Sequence, residues 1–154
     1  MARVIASNRL SEGTESQALA VCLNNLIGVP HGVFAPSGTA ALTLGLLALG
    51  LGPGDVVLVP DITFIGSANA VLMTGATPVF VDVDRATYQI DVRHAGRLVN
   101  PRTRAIMPVH LYGAACDMNA VLAFAAERGL KVIEDAAQGI GVSYLGRHVG
   151  SLGM

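Results

Sequence analysis

The chain has 154 residues, of which 52% are apolar and only 14% charged, with a formal net charge of −1. That length suits roughly one domain with ample material for a core. The charged fraction is far below the ~25% usual in a soluble domain, which implies that part of the surface is covered by something else. A nucleic-acid or polybasic membrane partner has no electrostatic support, and the hydrophobicity excludes disorder.

The longest greasy stretch, residues 40–51, is broken by Thr43, Gly45 and Gly50 and is too short to span a bilayer. The first residues lack the apolar core of a signal peptide. Cys22 and Cys116 give neither a disulfide framework nor zinc-ligand spacing. A cytoplasmic protein with two reduced thiols is the expectation.

In chain order, residues 12–27 read as a helix preceding the main fold. Residues 32–35 read as a short buried strand and residues 38–49 as a helix rich in Ala and Leu. A glycine-rich turn over 50–55 leads to a strand over 56–60. A helix over 64–73, closed by Gly75, precedes a strand over 77–82. Asp91 is the N-cap candidate of a helix running to 98, followed by a strand over 104–109. Asp117 or Asn119 starts a helix that ends near Arg128, and residues 130–135 form a last strand. The strands are continuously hydrophobic, so both faces should be covered. Strand–helix–strand units at this spacing predict an α/β fold with three layers, α/β/α, around a mostly parallel sheet. No repeat, linker or low-complexity stretch is visible.

In such sheets ligands sit beyond the carboxyl ends of the strands. After the first expected strand, Ser37-Gly38-Thr39 opens a helix with free amides and a hydroxyl at a positive dipole end. It is either an anion site or an ordinary N-cap. The glycines at 50–54 follow a helix rather than a strand, which argues against a dinucleotide fingerprint. Phe64, just past the next strand, is either core or a lid over a flat heteroaromatic ring. His110 and Tyr112 are either ligand contacts or satisfied turn residues. Asp135 ends a strand, where an acid is costly unless paired. It either caps the following turn or holds a pyridine nitrogen protonated, as an electron-sink cofactor requires. Gln138, three residues on, is placed to share that pocket. No histidine pair has metal-ligand spacing, and there is no nucleophile elbow.

Taken in order, these stretches resemble the DegT/StrS group of pyridoxal-phosphate sugar aminotransferases. The matching runs are Ser37-Gly-Thr-Ala-Ala-Leu42, Leu49-Gly-Leu-Gly-Pro-Gly-Asp55, Thr63-Phe64 with Ala68-Asn-Ala70, and Gly75-Ala-Thr-Pro-Val-Phe-Val-Asp-Val-Asp84. Val109-His-Leu-Tyr-Gly113 with Cys116-Asp-Met118, Val132-Ile-Glu-Asp-Ala-Ala-Gln138, and Gly146-Arg-His-Val-Gly-Ser-Leu-Gly153 complete the series. The resemblance implies the large domain of fold-type I pyridoxal-phosphate transferases, the aspartate-aminotransferase-like fold. Residues 1–30 would be an N-terminal segment and helix, and residues 31–154 a partial cofactor-binding large domain. Gly38 and Thr39 would bind the cofactor phosphate, Phe64 would stack on the pyridine ring, Asp135 would pair with its nitrogen, and Gln138 would sit near the other edge. The substrates implied are a nucleotide-linked keto-sugar and an amino-acid donor, and the assembly implied is a homodimer.

Family members continue well past the position of Gly153, into a stretch that carries the Schiff-base lysine. Lys131 is the single lysine here. It lies four residues before Asp135 on one strand, roughly 13 Å away, and does not replace the missing group. The expectation is therefore a truncated piece without a catalytic residue of its own, inactive alone. Two alternatives stand beside the aminotransferase. One is a non-catalytic or split subunit that needs a partner chain; the other is a sugar dehydratase of the same family, in which histidine replaces that lysine.

Overall fold

Four apolar runs carry the sheet in a computed structural model that describes residues 1–11 and 13–153. Strands β1 (Val56–Pro60), β2 (Thr77–Val81), β3 (Thr103–Ile106) and β4 (Lys131–Val132) pair in parallel in the order β2-β1-β3-β4. Successive side chains point to opposite faces. Leu58, Ile106 and Val132 enter one core, while Val57, Val59, Ala105 and Met107 enter the other.

Each face is closed by helices. Helices α5 (Val92–Leu98) and α6 (Met118–Arg128) cover the first through Ala95, Val121, Phe124 and Ala125. Helices α3 (Gly38–Ala48) and α4 (Gly66–Met73) cover the second through Leu46, Ala70 and Val71. The three-layer parallel α/β arrangement follows from these two cores. The caps are those the sequence marks. Ser37 accepts the amide of Ala40, Asp91 those of Arg93 and His94, and Asp117 that of Ala120. Gly129 ends α6 in the left-handed region, at φ 62°.

Several expectations change. Residues 32–35 form no strand; Val33 is 89% exposed and Phe34 52%. No neighbouring strand among the described residues offers this segment a ladder, so its sequence pattern has nothing to pair with. The helix expected from residue 12 is α2 (Thr14–Ile27), and Glu12 and Met154 lie outside the described residues. Strand β2 is not covered on both faces. It is an edge strand, and Phe80 on it is half exposed. The last strand is shorter than expected, although a parallel bridge between Val109 and Asp135 extends the pairing to the sheet's carboxyl end. Two features had no counterpart in the reading above. They are helix α1 (Ala2–Ala6) and a hairpin of β5 (Ser143–Tyr144) with β6 (Arg147–His148). Its two turn residues, Leu145 and Gly146, both have positive φ. Such turns favour Asn-Gly or Asp-Gly, and Leu-Gly does not announce one. No described helix is long and apolar enough to cross a membrane.

Candidate functional site

The ends of β1, β3 and β4 and the start of α3 surround a cleft of about 280 Å³, lined among others by Gly38, Thr39, Phe64, Ser67, Asp135 and Gln138. The five residues singled out above thus come together in one place.

Asp135 is the most constrained of them. It is 6% exposed, and its backbone is fixed on both sides: its amide donates to Pro108 O at 2.9 Å, and its carbonyl accepts from His110 N at 3.0 Å. Oδ2 accepts from Ser67 Oγ at 2.7 Å, and Oδ1 accepts from Ala137 N at 3.2 Å. Both donors are neutral, and none of the ion pairs among the described residues involves Asp135. A carboxylate at this depth normally has a cation beside it.

Across the cleft, Ser37 Oγ accepts the Ala40 amide at 3.1 Å and Ser37 O that of Ala41 at 3.0 Å. The amides of Gly38 and Thr39 have no partner among the described residues. A Cβ at Gly38 would meet nothing within 4 Å, so the space above this helix start is open. Two unpaired amides at the positive end of α3 are suited to an anion.

Phe64 is 70% exposed. It and Thr39 close over Gly66, where a Cβ would lie 2.7 Å from Thr39 Oγ1 and 2.8 Å from Phe64 Cδ1. Gln138 is held by its Oε1, which accepts Tyr112 N at 2.8 Å. Tyr112 itself sits at φ 56° in a short 3₁₀ turn, Leu111–Gly113, a left-handed conformation unusual for a bulky residue.

Behind the cleft lies a second polar cluster. His110 is fully buried and does not line the cleft; it is a satisfied interior group. Its Nδ1 accepts Cys116 N at 3.1 Å, so Nε2 carries the proton and donates to Glu134 Oε2 at 2.9 Å. Glu134 also accepts the amides of Gly150, Leu152 and Gly153. Burial alone would raise its carboxyl, but the His110 and amide hydrogen bonds outweigh it and hold Glu134 below the ordinary value of 4.5. The Cys116 thiol is pushed up to about 12, chiefly by burial, and stays protonated at neutral pH.

Lys131 lies far from this chemistry. Its Nζ donates to Leu49 O at the C-terminal end of α3, where a cation complements the helix dipole. The cleft is at the other end of an 11-residue helix, about 16 Å away at 1.5 Å per residue.

The family model of the DegT/DnrJ/EryC1/StrS aminotransferases matches residues 1–154, the whole chain. The chain belongs to the DegT/DnrJ/EryC1/StrS aminotransferase family. Among curated members, UDP-N-acetyl-3-dehydro-α-D-glucosamine 3-aminotransferase of Acidithiobacillus ferrooxidans is 52% identical over 141 residues, 92% of this chain but 38% of that protein. Among solved structures, DesV of S. venezuelae has 41% identity and a TM-score of 0.92, covering 97% of this chain and 40% of that one. NtdA from Bacillus subtilis, solved with bound cofactor PMP, has 39% identity and a TM-score of 0.90, covering 94% and 33%. The chain spans 34–38% of the length of the curated relatives it matches.

Two residues that matter to the site's geometry were not singled out from the sequence. Ser67 carries a hydroxyl onto Asp135, and its only signal is the i, i+4 spacing from Thr63 at a helix start. Glu134 stands in the same strand-end run as Asp135, with no signal in the sequence for a separate role. On an extended strand neighbours face opposite ways, so one of two adjacent acids had to point away from the cleft.

Proposed function

We propose that this chain is the N-terminal, cofactor-binding part of a pyridoxal-phosphate-dependent aminotransferase that moves an amino group from an amino acid to a nucleotide-linked keto-sugar. Residues 31–154 supply part of the large domain, and residues 1–30 an N-terminal segment. The observation that carries this reading is Asp135, a buried carboxylate without a cation, opposite two unpaired amides at a helix start. A flat molecule with an anionic group at one end and a protonated ring nitrogen at the other complements that pair. Membership of an aminotransferase family, and a sugar-nucleotide enzyme among its relatives, support the substrate class.

The residues present fit pyridoxal phosphate. The amides of Gly38 and Thr39, with the Thr39 hydroxyl, would hold the phosphate; Phe64 would cover one ring face; Asp135 would pair with the protonated ring nitrogen; Gln138 would lie near the other edge. When bound, the cofactor supplies an electron sink for amino-group chemistry. What the chain itself does is bind, orient and shield one face from water. Lys131, at the wrong end of α3, offers no covalent anchor and no base. We therefore expect reversible cofactor binding, no transamination by this chain alone, and activity only with the remaining lysine-bearing segment, in the same or a partner chain. Incubation with pyridoxal phosphate and borohydride followed by mass spectrometry tests this. No stoichiometric pyridoxyl adduct is expected; one at Lys131 would overturn it.

A further inference from the structure

The hydrogen bonds around Asp135 have a direction. A carboxylate only accepts, so the single hydroxyl hydrogen of Ser67 is spent on Oδ2, at 2.7 Å. Ser67 Oγ lies 2.8 Å from Thr63 Oγ1. With its own hydrogen engaged, Ser67 is the acceptor there, and Thr63 donates. The result is a one-way chain, Thr63 to Ser67 to Asp135, running from the loop before α4, through its first turn, to the end of the sheet. Ser67 is 1% exposed, and it and Asp135 come from elements 68 residues apart. Ala137 N supports the other oxygen, Oδ1, at 3.2 Å.

We propose that Ser67 is a positioning residue for this site: it holds the Asp135 carboxylate in the orientation that recognises a protonated heteroaromatic nitrogen. The inference rests on the reading of Asp135 as the ring partner and goes beyond it, to the group that sets its geometry. Three features carry it. Asp135 has no cation to fix it among the described residues. Its Oδ2 has one side-chain donor, Ser67. That donor is itself locked by Thr63, so it cannot turn away without breaking a second bond. Fixing a carboxylate before the ligand arrives removes an ordering cost from binding, and a short hydroxyl-to-carboxylate bond is among the stronger kinds.

The test compares two ligands and five forms of the chain. The ligands are pyridoxal phosphate and its 1-deaza analogue, which carries a C–H in place of the ring nitrogen. Dissociation constants are measured for the wild-type chain, S67A, T63V, D135N and the S67A/D135N double variant, with circular dichroism as the check on folding. The wild type should prefer pyridoxal phosphate over the analogue, and S67A should lose about tenfold of that preference while binding the analogue as before. S67A should add nothing once D135N is present. T63V, which keeps Ser67 but frees it to rotate, should show a smaller loss of the same kind, so the idea stays testable if S67A does not fold. An S67A or, in its place, T63V chain with wild-type preference overturns the proposal. So does an equal loss for both ligands, which is what a merely structural serine would give. A wild type without preference overturns the reading of Asp135 itself, and the role of Ser67 with it.

Discussion

Gly66 sets the spacing between Thr39 and Phe64, and the two effects of enlarging it act on different observables. Gly66 is the first residue of α4, so Ala there gains less than the ~1 kcal/mol of a helix interior, while crowding costs about 1–3 kcal/mol. Here the crowding is relieved by the exposed Phe64 ring swinging out to solvent. G66A should therefore change the urea midpoint little but weaken cofactor binding several-fold, seen in a titration with pyridoxal phosphate. Glu134 gives a pH prediction. Its folded value is depressed below 4.5, so its charge contributes stability that is fully present above that pH and is lost as the pH falls through the lower folded value. Urea denaturation from neutrality to about pH 3 should show this loss. E134Q should be less stable at neutral pH and flatter across the acid range; an unchanged acid slope would contradict the account. Asp135 and Gln138 were legible in the sequence because a strand end points into the ligand crevice. Ser67 and Glu134 were not, because their roles depend on tertiary partners 68 and 16 to 24 residues away.

At the scale of elements, the sheet and its helices were readable because apolar runs and caps agree. Val56–Pro60 emerges with the expected bounds, and Asp91 and Asp117 cap as their side chains require. The failures share a cause. Residues 32–35 have strand composition but no neighbour to pair with among the described residues, and the hairpin at 143–148 uses a Leu-Gly turn without a sequence signature. Leu46 is fully buried in the core between α3 and the sheet. L46A should cost about 2–5 kcal/mol in chemical denaturation, and because α3 carries the helix start at the cleft, cofactor binding should weaken with it. Lys131 acts at the far end of the same helix. K131M removes the cation from the α3 carbonyls and should lower stability by up to about 1 kcal/mol while leaving cofactor affinity unchanged. A loss of affinity comparable with that of D135N would place Lys131 in the site after all.

The whole molecule returns to its scarcity of charge. Helix α2 buries none of its residues, and Leu19, Val21 and Leu26 on it are each at least half exposed. Val33, Phe34, Phe80 and Leu145 add apolar surface elsewhere. We propose that the apolar side of α2 is an interface. The purified chain should therefore self-associate, and light scattering that finds only monomer at moderate concentration would count against a covered face. Whether the cleft is a cofactor bed is a separate question, and it rests on Asp135. The most direct measurement is the dissociation constant of pyridoxal phosphate for the wild-type chain and for D135N, followed through the absorbance of the cofactor. Asn keeps the shape but removes the charge, and it retains one acceptor oxygen where the carboxylate offers two, to Ser67 Oγ and Ala137 N. The account predicts reversible binding to the wild type and at least about tenfold weaker binding to D135N with an unchanged fold; equal affinity for the two would contradict it.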